Sequence, residues 1–148
     1  MRISAKGHYA LGAMIHMASN YDNGECLAVI SIAERLGTSK IYLEQIFSLL
    51  KRGRLLNSVK GAQGGYRLAR PPRRITAADI LSAVELSLFE ETKGAFPDKA
   101  PEIDQAIRLT VFEALDKKVK DTLESITLED LVQAAEQQKT DEKIMFYI

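Results

Sequence analysis

The chain has 148 residues, 46% of them hydrophobic, and a net charge of zero. That composition fills one core of modest size and excludes a disordered chain. A single cysteine excludes an internal disulfide and a single-chain thiolate metal site, and no apolar run approaches the roughly 18 residues of a membrane span.

The opening residues lack the apolar core of a secretory signal, so a cytoplasmic protein is expected. The neutral total conceals a division. Residues 1–74 carry 12 Lys/Arg against 4 Asp/Glu, a net of +8, and residues 75–148 carry 8 against 16, a net of −8. One end is suited to a polyanion and the other to a different task.

In chain order, Ile3, Ala10, Met14 and Met17 recur at helical spacing behind Ser4, a capping residue. The run Asn20-Tyr21-Asp22-Asn23-Gly24 is expected to stop this first helix. His8 and His16 lie on it without a carboxylate or thiol beside them, short of the three or four ligands that a first-row metal ion takes. Cys26 reads either as a redox-sensing thiol or as a small, partly buried residue, and the adjacent Glu25 disfavours the thiolate. Val29 to Leu36 reads as a short helix ended by Gly37. Thr38 or Ser39 then caps a third helix running to about Arg52, with Gly53 as its stop. Leu43, Ile46, Leu49 and Leu50 form the buried stripe of that helix. Lys40, Glu44, Ser48 and Lys51 fall on its free face, flanked by Tyr42 and Gln45. Two short helices joined by a turn containing Gly, the second polar and basic outside, make a helix-turn-helix arrangement.

From Lys51 to Arg74 there are eight basic residues and no Asp or Glu. Within that stretch Leu55 to Lys60 and Tyr66 to Leu68 read as short strands around Gly61-Ala62-Gln63-Gly64-Gly65, where glycine supplies left-handed backbone angles cheaply. A hairpin directly after the second helix of the pair is a wing. The rival reading, a phosphate-cradling loop, needs Lys followed by Ser or Thr and then a helix, whereas Tyr66 and a strand follow.

Past Pro71-Pro72, Thr76 and Asp79 have the spacing of a capping box and open a helix to about Leu86. Ser87 to Ala100 reads as a loop. Pro101 suits the first position of a long helix to about Thr122, striped by Ile103, Ile107, Val111, Ala114 and Leu115, with Leu109 and Phe112 beside them. That stripe either closes the monomer core or packs on a twin. Thr127 with Asp130 starts a last short helix that covers the first domain.

Several segments together carry a resemblance. They are Met1 to Gly7, Tyr42-Leu43-Glu44-Gln45, Val59-Lys60-Gly61, Gly64-Gly65-Tyr66, Ile75 to Ile80 and Ile126 to Leu131. In that order they resemble the Rrf-two family of bacterial winged helix-turn-helix transcription regulators, and Met145-Phe146-Tyr147-Ile148 is similar to its CymR-like branch. The resemblance implies a mainly α fold with a small β-hairpin. Its parts are a winged helix-turn-helix DNA-binding domain over 1–86, a connecting loop over 87–101, a dimerisation helix over 102–122, and a C-terminal helix and tail over 123–148 that pack on the DNA-binding domain. It also implies a homodimer on double-stranded DNA. His8 stands where the family usually has Arg, which removes one phosphate contact. The family's cluster-binding members place three cysteines in the loop before the long helix, but Ser87 to Asp104 has no Cys and no His. Iron–sulfur clusters need mainly thiolates, so no cofactor is expected. The signal would then come from a small effector, a regulatory protein partner or Cys26.

On a duplex, Glu44 is placed to accept from cytosine N4 and Gln45 to pair with adenine. A local ion pair of Glu44 with Lys40 or Lys51 is the plain alternative. Ser39, Lys40 and Tyr42 suit phosphates. Lys60 suits the minor groove, and Arg52, Arg54, Arg67 and Arg70 suit the backbone. The expected function is a repressor, with cysteine or sulfur metabolism suggested by the CymR-like tail. An enzyme finds no support in any catalytic set. A protein-interaction module, its basic face docking an acidic partner, remains the alternative.

Overall fold

The computed structural model describes residues 3–21 and 26–147. Helix α1 (Ala5–Ser19) begins at Ser4, whose hydroxyl accepts from the Gly7 amide at 3.3 Å, and ends at Asn20. Asp22 to Gly24, part of the expected stop, lie outside the described residues. Glu85 accepts both the backbone N–H and the hydroxyl of Ser4, tying the start of α1 to the end of a later helix. The helix-turn-helix pair is α2 (Val29–Leu36) and α3 (Lys40–Arg52). Gly37 takes φ +70° at the end of α2, and Ser39 rather than Thr38 caps α3, accepting from the Tyr42 amide at 3.1 Å.

α3 ends at Arg52 with Gly53 as its cap, as expected, but the left-handed turn comes one residue later. Gly53 has an ordinary φ of −75°, and the left-handed residue is Arg54, at φ +62°. The Leu55 amide donates to the Leu50 carbonyl and the Arg54 amide to that of Lys51, the two bonds of a Schellman ending with Arg54 in the place usually held by Gly. Gly53 is needed instead for contact, because a Cβ there would stand 3.0 Å from Ala83 Cβ.

Strands β1 (Leu56–Val59) and β2 (Gly65–Leu68) pair antiparallel, with Leu56 opposite Leu68 and Asn57 opposite Arg67. Leu27 joins them, exchanging both backbone bonds with Tyr66 at 2.8 and 2.9 Å. The glycines of the wing divide their work. Gly61 alone has positive φ, +114°, whereas Gly64 and Gly65 permit close approach: a Cβ on Gly65 would lie 2.1 Å from the Leu27 carbonyl oxygen.

A 3-10 turn over Pro72–Arg74 leads to α4 (Ala77–Val84), which ends earlier than Leu86. Its capping box is complete between Thr76 and Asp79, and Thr127 with Asp130 repeats it at the start of α7 (Leu128–Tyr147). The two caps are bridged. Ala77 donates to the Ile126 carbonyl and Leu128 to that of Ile75, at 2.8 and 2.7 Å. α7 has 20 residues, not the short helix expected. Leu128 is buried and Leu131 and Val132 pack on the core; beyond them helix-forming Glu, Gln and Lys continue it, with Gln137 and Asp141 bonded one turn apart at 3.0 Å.

The core gathers Met14 from α1, Ile32 from α2, Leu43, Ile46, Phe47 and Leu50 from α3, Leu55, Leu56, Ile75 and Ile80, and Leu128. Phe47 is fully buried and Leu49 only half-buried, so the inner stripe of α3 includes Phe47 where Leu49 was expected. No polar or charged side chain among the described residues is buried. Each fully buried Leu, Ile or Phe contributes about 1.5–3 kcal/mol, and this one cluster holds α1 to α4 and the hairpin together.

A side chain at left-handed φ costs about 1–2 kcal/mol, partly offset by the greater freedom that glycine gives the unfolded chain. Arg54→Gly is therefore expected to stabilise the fold by about 0.5–1 kcal/mol, a rise in Tm of about 2–3 °C by calorimetry. A fall in Tm would show that Arg54 makes a compensating contact.

Candidate nucleic-acid interface

α3 turns Leu43, Ile46, Phe47 and Leu50 inward, which leaves Lys40, Ile41, Glu44, Gln45 and Ser48 exposed on the outside. Lys40 Nζ lies 3.7 Å from Glu44 Oε1, one turn away on the surface. This is the local pair weighed from the sequence, made with Lys40 and not with Lys51. An exposed pair of this kind is worth well under about 1 kcal/mol, so it leaves Glu44 free to exchange partners.

Lys51 instead reaches the wing, donating to Ser58 Oγ at 2.8 Å. Beneath it Phe47 and Tyr66 meet edge to face with centroids 5.0 Å apart, and Tyr9 of α1 meets Tyr42 at 5.7 Å. These contacts make α3 and the hairpin one packed unit. Arg52, Arg54, Lys60 and Arg67 are exposed around it. Arg70 is engaged differently: its Nη2 bonds Asp79 Oδ2 at 3.2 Å, and that same oxygen accepts from the Thr76 amide. Its guanidinium thus braces the start of α4 and stands only partly exposed.

Cys26 sits beside the turn of the wing, its thiol donating to the Gln63 carbonyl at 2.9 Å. Burial, and then the charge of Arg35, hold His16 below its ordinary pKa. Among the described residues no group of three or more His, Cys, Asp or Glu is placed to hold a metal ion.

The acidic half is organised by one long helix, α5 (Pro101–Ile107) running through a π turn (Arg108–Phe112) into α6 (Glu113–Ser125). It reaches slightly past the expected Thr122, and none of its residues is buried. Ile103, Ile107, Val111, Ala114 and Leu115 all lie exposed, Val111 at 53% and Leu115 at 57%, so the stripe does not close the monomer core. On a regular helix, residues at steps of four drift about 40° per step. A π turn places more residues in one turn and takes some of that drift back, which keeps Ile103, Ile107, Val111 and Leu115 closer to one seam.

The preceding loop is pinned by a carboxylate. Asp104 Oδ1 accepts from the Ala95 and Phe96 amides at 3.1 and 3.2 Å. At the far end of α7, Ile144, Met145, Phe146 and Tyr147 are exposed, and Ile148 lies outside the described residues.

Two features escaped the sequence reading. The π turn has no local signal in Arg-Leu-Thr-Val-Phe. Ile41 was legible, since it stands two residues before Leu43 and therefore off the buried stripe.

Comparison with known proteins places this geometry. The family described as an iron-dependent transcriptional regulator, Rrf2, matches residues 3–134. The HTH-type transcriptional regulator IscR of Xenorhabdus nematophila is 36% identical over 136 residues, covering 92% of this chain and 82% of that protein. The HTH-type transcriptional regulator CymR of Bacillus subtilis is 35% identical over 148 residues, the whole of both chains. The solved structure of CymR, the global cysteine regulator of B. subtilis, superposes with a TM-score of 0.74 at 34% identity, covering 90% of this chain and 98% of that one. The iron in the family's description does not fit this chain as a cluster: the loop before the long helix offers carboxylates and no thiolate, Asp104 is bonded to backbone, and Cys26 lies at the wing. The relatives are transcriptional regulators and not enzymes. With a helix-turn-helix, a wing and a sequence match over most of its length, the chain belongs to the Rrf2 family of transcriptional regulators.

Proposed function

We propose that the chain is a cytoplasmic, homodimeric repressor without an iron–sulfur cluster, which binds double-stranded DNA at an operator of two half-sites. The observation that carries this is the packing of α3 and the wing into one basic unit, with the outward face of α3 left free. The working division is 1–86 for DNA, 87–101 as connector, 102–122 for dimerisation, and 123–148 as a C-terminal element that braces the first domain through Leu128, Leu131 and Val132, while its exposed end, expected to pack there too, does not. α3 enters the major groove. There Glu44 and Gln45 read base edges, while Ser39, Lys40 and Tyr42 face phosphates at its start. Lys60 enters the minor groove, and Lys51, Arg52, Arg54 and Arg67 hold the backbone. Arg70 serves the fold first, through Asp79.

Dimerisation is supported by the unburied seam of the long helix, which in a second copy finds an identical, self-complementary surface. The name of the B. subtilis relative as a global cysteine regulator supports control of cysteine or sulfur metabolism. The exposed apolar end of α7 supports a regulatory protein partner, and the thiol of Cys26 beside the wing turn supports a redox input as the other reading.

Replacing Glu44 with Ala is expected to relax base preference at one position by about 1–3 kcal/mol, whereas Lys60→Ala weakens binding to all sequences alike and lowers the salt slope by about one. Anisotropy on operator and scrambled duplexes separates the two, and equal losses from both changes would contradict this division. Val111→Asp with Leu115→Asp is expected to convert a dimer to a monomer in sedimentation, with native helix content kept by circular dichroism and Tm lowered by the lost association. Operator affinity should fall by roughly a hundredfold as the two half-sites lose their shared binder. A wild-type chain that sediments as a monomer would overturn the dimer.

A further inference from the structure

Ile41 is the one apolar side chain on the outward face of α3, among Lys40, Glu44, Gln45 and Ser48, and it is 72% exposed. It stands two residues past the cap Ser39, in the turn that reaches base edges first when a recognition helix enters a major groove. Glu44 and Gln45 follow it by three and four residues, so the three side chains share one surface of the helix. The interior does not account for Ile41, since the helix buries Leu43, Ile46, Phe47 and Leu50 on its other side and Ile41 is not among the residues packed against the core.

A single exposed isoleucine is ordinary on a protein surface. Its surroundings here are not ordinary, because each of its neighbours can donate or accept a hydrogen bond. The major groove offers one apolar feature to such a surface, the C5 methyl group of thymine. We propose that Ile41 is a specificity-determining residue that packs against a thymine methyl beside the base pairs met by Glu44 and Gln45. This rests on the DNA-binding reading above and adds a base preference to it. The contact works in both directions. Thymine gains a buried methyl, whereas an amino or carbonyl edge pressed against the isoleucine would lose water without gaining a partner.

The test uses the full-length protein and the duplex that it selects from a randomised pool, labelled for anisotropy. Each thymine of one half-site is replaced in turn by deoxyuridine, which keeps base pairing and removes only the methyl. At one position the replacement is expected to weaken wild-type binding about fourfold, the effect of one buried methyl. Ile41→Ala should bind the thymine duplex more weakly and show no response to that replacement, while Ile41→Val keeps part of the response. The melting temperature of Ile41→Ala should match wild type. If no uracil position weakens the wild type, or if Ile41→Ala responds as strongly as wild type does, the assignment is overturned while operator binding stands. A pool that yields no preferred sequence would overturn the operator reading and this assignment together.

Discussion

The edge-to-face contact of Phe47 with Tyr66 is the interaction on which the helix-turn-helix and its wing depend. Phe47 belongs to α3 and Tyr66 to the wing, and Tyr66 also exchanges both backbone bonds with Leu27 in the segment leading to α2. One aromatic pair thus meets three parts of the chain. Gly65 allows it, because a Cβ there would collide with the Leu27 carbonyl. With the helix and the wing fixed to each other, the outward face of α3 is preformed, and a partner bound there would spend little energy ordering it.

The other half is built on an opposite principle. From Pro101 to Ser125 no residue of the helix is fully buried, yet it carries Ile103, Ile107, Val111 and Leu115 along one side. Apolar surface so arranged is stable in water only when covered. The charge division follows the same plan, with basic residues gathered on α3 and the wing and acidic ones in the half that carries the long helix. A net charge of zero for the whole is compatible with a strongly basic face because the two are separated in the fold.

Much of this was legible in the sequence wherever a local chemical rule decides the structure. Ser39, Gly37, the Thr76–Asp79 box and Pro101 each mark a helix boundary by their own hydrogen-bonding or backbone constraints, and the elements begin or end there. The misses lie where tertiary context decides. Gly53 stops α3 as expected, but the left-handed residue after it is Arg54, because the fold uses the glycine for the approach of Ala83. α7 runs well past Val132, the last of its residues packed on the core, because helix propensity and side-chain pairs carry it on as a solvated rod. Within the interface, the face of α3 followed from periodicity. The engagement of Arg70 with Asp79 did not, since it depends on how the chain folds back after Pro71 and Pro72.

The most direct measurement is the salt dependence of binding to the selected duplex, read by anisotropy beside a scrambled duplex of equal length. If the basic unit neutralises about six phosphates, log affinity falls with log salt at a slope near −5, and the selected duplex binds roughly a thousandfold tighter than the scrambled one. Weak binding, equal on both duplexes, would contradict an operator-binding regulator and leave the basic face to an acidic protein partner.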